Sequence, residues 1–170
     1  MTAPDPLWRA IKSHGIDLDH VTNVAGPIVR TLVTFTNWGG FEFDDMGEMA
    51  CAMAVHDTDA ETVIDLVAWS IRDPETFGTM FGAPVLGIDT LLNPASYVAG
   101  PITLLSTPLA WLKAGCQGAA VLDLAGAREA LFRVPGPFTT ENLEDAECLL
   151  HSGLVPRRKI LVPESWRFAA

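Results

Sequence analysis

Basic residues are scarce in this sequence. The 170 residues include 11 Lys and Arg against 21 Asp and Glu, a formal net charge of -10. The deficit is local: residues 1–100 hold fourteen acids and four bases, whereas residues 101–170 hold seven of each. Between Glu42 and Asp89, eleven acids face a single base, Arg72. A field of that sign repels phosphate backbones, so direct nucleic-acid binding is not expected. The run Arg157-Arg158-Lys159 is too short for a polyanion groove and reads as the solvated turn before the last strand.

Other absences exclude further classes. Only three cysteines occur, Cys51, Cys116 and Cys148, with no C-x-x-C pair, so neither a disulfide framework nor a zinc knuckle is expected and the three read as small hydrophobes. No apolar run reaches the ~18 residues of a membrane span, since even Val63 to Ile71 is interrupted by Asp65. The first eight residues lack a basic segment followed by an apolar one, so no secretory signal is read and a cytoplasmic location is expected. Neither G-x-G-x-x-G nor G-x-x-x-x-G-K-[ST] occurs, which disfavours a phosphate loop, and no serine sits in G-x-S-x-G.

What is present is apolar. At 49% hydrophobic and 19% charged residues the chain is richer in core-forming side chains than an average domain, which argues against disorder. The surplus points to a subunit interface, and hence to a homo-oligomer.

Three segments share one punctuation, a capping residue, a proline, an apolar-periodic stretch and then glycine: Asp5-Pro6 to Gly15, Asp73-Pro74 to Gly82, and Thr107-Pro108 to Gly115. A capping oxygen, a proline at the first helical position and a left-handed glycine predict a short helix in each. Ile28 to Thr36, Asn37-Trp38-Gly39-Gly40 and Phe41-Glu42-Phe43 read as strand, turn and strand. Ala50 to His56 and Thr62 to Ile71, joined by Asp57-Thr58-Asp59-Ala60, give a second hairpin and so a four-stranded meander. Helix stays open as an alternative for Glu48 to Ala54, which is rich in Met and Ala.

Beyond residue 100 the rhythm changes to strand 101–105, helix 107–115, strand 119–122, helix 125–132, strand 138–140, helix 141–151 and strand 159–162. That alternation implies a largely parallel sheet with right-handed crossovers. The expected fold is therefore α+β (mixed α/β), an N-terminal antiparallel β-meander beside a C-terminal βαβα unit with short helices. Residues 1–170 are expected to form one compact domain, divisible into a β-rich half, 1–90, and an α/β half, 91–170, with Pro84 to Pro94 as the join.

The order of elements in residues 101–162 resembles, at the level of topology, the toprim fold of primases and topoisomerases. That family holds a divalent cation with a glutamate at the end of its first strand and an Asp-x-Asp pair after a later one. Here those positions read Ser106 and Thr139-Thr140-Glu141. The resemblance therefore implies a fold without the activity.

The candidate chemistry gathers in two places. His56-Asp57-Thr58-Asp59, with Glu61 after it and Asp44-Asp45 upstream, has the residue types that hold Mn²⁺ or Zn²⁺ for metal-assisted hydrolysis. Against that, neighbours in a strand point to opposite faces, and the same residues suit a solvated hairpin tip. The spacing lacks the Gly and Glu of a calcium loop, so an EF-hand is excluded. Asp123 ends a buried strand, where it would serve as a base or cation ligand, or else cap the following helix.

Asp65, inside Val63–Trp69, needs a partner such as Arg30 or Arg72 if it is buried; otherwise it lies at an edge or borders a pocket. Cys116 follows a helix instead of opening one, which leaves a Cys116–His151 nucleophile pair without support against an ordinary loop thiol. Of five tryptophans, Trp69 and Trp111 read as core, and Trp38, in a turn beside two glycines, is the candidate interface residue.

With no complete catalytic set, the leading expectation is a non-catalytic interaction or regulatory protein that self-associates, binds an unknown protein partner and needs no cofactor. The alternative is a metal-dependent hydrolase or phosphoryl-transfer enzyme using His56, Asp57, Asp59 and Asp123, with a divalent cation. A third reading makes the acidic half a surface for a basic protein, or a mimic of nucleic acid.

Overall fold

The computed structural model describes residues 11–153 and 159–162. Helical residues 11–13 end at Gly15 (φ +76°), as the first punctuation predicts; the start of that segment lies outside the described residues. A helix the sequence reading passes over follows, α1 (Leu18–Ala25). The Asp17 carboxylate caps it by accepting from the Asp19 and His20 amides, and Gly26 ends it.

Five strands then form one antiparallel sheet: β1 (Val29–Phe35), β2 (Phe41–Phe43), β3 (Glu48–His56), β4 (Val63–Ser70) and β5 (Phe77–Thr79), in the order β2-β1-β3-β4-β5. The expected hairpins are present, and residues 48–54 are strand, not helix. The helix expected from Asp73-Pro74 to Gly82 is not. Thr76 N–H donates to the Asp73 carbonyl and its hydroxyl to the Asp73 carboxylate, which closes a turn, and Phe77–Thr79 pairs with β4. The Asp-Pro signal served a turn, and the free edge of β4 drew the following residues into the sheet.

Alternation splits this sheet between two cores. Cys51, Met53, Val55, Val67 and Trp69 face the helices and the second sheet, whereas Val33, Phe41, Ala50, Ala52 and Ala68 line the inside of its curl. The alanines leave room for that curl. It brings the outer strands together: the Thr79 amide donates to the Gly39 carbonyl at 3.1 Å, and Gly40 bridges Thr79 in parallel. Close approach requires glycine here, because a Cβ on Gly78 would lie 2.6 Å from the Gly40 carbonyl oxygen.

The second sheet contains β6 (Val85–Leu86), β7 (Ile102–Leu105), β8 (Ala119–Val121) and β9 (Phe138–Thr140), in the order β6-β8-β7-β9 with β7, β8 and β9 parallel. Between β6 and β7 lie α2 (Ile88–Leu92) and a 3-10 turn (Pro94–Tyr97). Three further helices are α3 (Pro108–Lys113), α4 (Arg128–Arg133) and α5 (Leu143–Ser152). Thr107 caps α3 with proline at its first position, as expected. The last helix starts two residues later than expected, because Asn142 takes the capping role and leaves Glu141 outside. Of the expected last strand, Ile160 makes one bridge to Phe138.

The chain moves from β7 to β8 on one side and then back across to β9 on the other. Right-handed crossovers then put the connecting helices on opposite faces. Accordingly α3 packs through Leu109, Trp111 and Leu112 between the two sheets, and α4 and α5 cover the far face through Leu131, Ala146 and Leu149. The mixed α+β architecture is as read, but the first sheet is not the expected meander: β3 pairs with β1 instead of with β2, and a fifth strand is added.

Candidate functional site

The acidic candidates lie at opposite ends of β3. Asp44 and Asp45 sit in the turn before it, His56 is its last residue, and Asp57 and Asp59 lie in the turn after it. Eight steps at about 3.3 Å put roughly 26 Å between those turns, so the two groups share no cation.

Within each turn the carboxylates are engaged by their own loop. Asp44 accepts from the Thr34 hydroxyl at 2.6 Å and the Met46 amide at 2.9 Å, bonds that hold its pKa below the usual carboxylate value. Asp59 accepts from the Thr62 hydroxyl and the Thr62 and Glu61 amides, and these bonds bring its pKa down to about 2. Asp57 binds the Thr58 amide. Asp45 and Glu61 are exposed, and His56 is half-buried beside a register shift in β3. Among the described residues, no three His, Cys, Asp or Glu come together as a metal site. These acids build hairpin tips.

Asp123 also serves its backbone: it accepts from the Ala125 and Gly126 amides and opens the turn that leads into α4. Cys116 is buried, its pKa pushed up to about 11 by that burial, and His151 contacts the Glu147 carbonyl of its own helix. The crevice beyond the carboxyl ends of β7 and β9, the usual ligand position in such a sheet, holds a cavity of about 210 Å³. Ser106 donates both its amide and its hydroxyl to Glu141 there. Asp145, which lines the same cavity, has its pKa raised by burial and by Glu141. The two positions that departed from the toprim pattern thus bind each other.

The site that does take shape is the seam of the curled sheet. Past the contact at Gly39, Gly40 and Thr79, β2 and the residues after β5 diverge around a cleft of about 500 Å³. Trp38 stands on one lip, 81% exposed, with its indole nitrogen lying across Gly40. Phe81 stands on the other, 78% exposed, and Phe43 is exposed along β2.

What holds the Phe81 lip is Asp65. Its side chain is buried, and no ion pair of the expected kind with Arg30 or Arg72 is made through it; instead four backbone amides surround it. Its Oδ1 accepts from Leu66 at 2.6 Å, Met80 at 3.0 Å and Phe81 at 2.9 Å, and Oδ2 from Ala83 at 2.6 Å. A carboxylate surrounded by amides meets its charge without a cation, which is why the salt bridge was unnecessary. With the backbone of 80–83 fixed from inside, the Phe81 ring is left facing outward.

Sequence reasoning singled out Trp38 but missed Phe81. The available signal was Phe81-Gly82 directly after a short apolar run, and the helix assigned there concealed it. Comparison with protein-family models, with curated proteins and with solved structures finds no match to the chain.

Proposed function

We propose that this is a non-catalytic interaction protein whose contact surface is the aromatic seam between Trp38 and Phe81. The observation that carries the reading is the pair of large rings, both about four-fifths exposed, on backbone fixed by hydrogen bonds. A solvent-facing aromatic pair on a rigid frame loses little entropy on docking and matches the anchors that dominate protein interfaces. Self-association suits the seam less well, since a two-fold contact would bring like acids face to face.

The test is photo-crosslinking in cells that express the protein. A benzophenone amino acid replaces Trp38, Phe81 or, as a control, Val98, which is 87% exposed but belongs to the second half of the chain. A discrete adduct from positions 38 and 81 and none from 98 is the expected result. Equal labelling from all three, or none from the seam, would remove the reading. No helix among the described residues is long and apolar enough to cross a membrane.

A further inference from the structure

We infer that the seam takes an extended, arginine- or lysine-bearing segment of a basic protein, with a cationic side chain against Trp38 and the segment's backbone along the open edge of β2. The inference rests on the interaction reading above and names its partner class.

Charge comes first. Glu42 is the charged residue among the described lining of the cleft, and it opens the stretch to Asp89 in which eleven acids face one base. A cleft in such a field draws cationic segments and rejects acidic ones. Second, an exposed tryptophan face attracts a guanidinium or ammonium through the ring quadrupole, and Glu42 offers a carboxylate on the same lip.

The third observation is the edge. Thr36 N–H donates to the Gly40 carbonyl and Asp44 N–H to the Leu32 carbonyl, so hydrogen-bonded pairs of β1 and β2 fall at 36/40, 34/42 and 32/44. Phe43 lies between them, with its N–H and C=O turned away from β1. Across the seam, pairing stops at Thr79; the Met80 amide is turned to β4, where the Leu66 carbonyl and Asp65 accept it, and the Phe81 amide is held by Asp65. The Phe43 edge therefore faces the cleft, as an incoming strand requires.

The test selects a display library of short random peptides on the full-length protein, with Trp38→Ala as counter-selection. Selected peptides are then synthesised with each Arg or Lys replaced by Gln. The expected peptides are basic and alternate apolar with cationic residues. Gln replacement should weaken them by at least about tenfold. Affinity should fall by a similar factor between about 50 and 500 mM salt. The Phe43 amide should exchange more slowly in the complex.

Neutral or acidic peptides, or affinity indifferent to salt, would overturn the inference and leave the seam as an interaction surface. So would tight binding that leaves Phe43 exchange unchanged. A concentration-dependent dimer broken by Trp38→Ala would put a second copy in the seam in place of the basic partner. Failure to select any Trp38-dependent peptide, in a protein that stays monomeric, would overturn both this inference and the interaction reading.

Discussion

The two sheets solve the problem of their edges differently. The second is parallel over β7, β8 and β9 with an antiparallel edge strand, β6; it has both faces covered by helices or by the first sheet and ends in a crevice whose polar groups bind one another. The first is antiparallel and curls until its outer strands touch at Gly40 and Thr79, then leaves the rest of the gap open with aromatic rings on both lips. Closure removes edges, and incomplete closure keeps one available. The acids follow the same division, concentrated on the half with the open seam. On the function proposed above, the open seam of the first sheet is the surface left for recognition, while the core is shared by both sheets.

Substitutions can break that division, and the largest effect is expected in the second sheet. Phe138, fully buried in β9, is central to the core under α4 and α5. Phe138→Ala should cost about 3–5 kcal/mol. At this size that lowers the melting temperature by roughly 6–20 °C in a calorimetric scan. A loss under about 1 kcal/mol would mean that this core is not the stabilising one.

Asp65→Ala comes next, at about 2–4 kcal/mol by urea denaturation, because it removes the acceptor of the Phe81 amide and of the buried Ala83 amide. Hydrogen exchange should speed up selectively at residues 80–83. Asp65→Asn should cost less, since Oδ1 is retained and only the contact with the Ala83 amide becomes donor against donor.

Smaller still is Thr107→Ala, which removes the cap on the Ala110 amide and should cost about 1 kcal/mol.

The smallest effect concerns pH. The Asp59 pKa is about 2 in the folded protein against an ordinary 3.8. The folded state thus favours the ionised form, and what this contributes is complete above the ordinary value and is lost as pH falls toward 2. A carboxyl-carbon NMR titration should show a midpoint near 2. Thr62→Val, which deletes the hydroxyl donor, should move it upward. An unchanged midpoint would mean the hydroxyl bond is not formed in solution.

Much of the fold was legible because local signals and tertiary demand agreed. Thr107-Pro108 to Gly115 folded as a helix, and Phe138–Thr140 as a strand with the bounds its sequence suggests. Asp73-Pro74 failed because the same dipeptide opens a turn, and only the presence of the β4 edge decides between the two. The helix at Leu18–Ala25 was missed although Asp17, Gly26 and the spacing of Leu18, Val21 and Ala25 announce it.

The exposure of Trp38 was legible from its two glycine neighbours. The role of Asp65 was not: a lone carboxylate in an apolar strand calls for a partner, but besides the adjacent Leu66 amide its partners were amides fifteen to eighteen residues away, which no side-chain pattern encodes. The His56 and Asp44 groups looked like one cluster only because β3, which separates them, is short in sequence and long in space.

The most direct test of the account joins stability and binding in one variant, Trp38→Ala. Its melting temperature should stay within about 2 °C of the parent, as for a surface substitution of no more than about 0.5 kcal/mol. The photo-adduct from position 81 should disappear. A large loss of stability would make Trp38 a packing residue, and an undiminished adduct would place recognition outside the seam; either result contradicts the account.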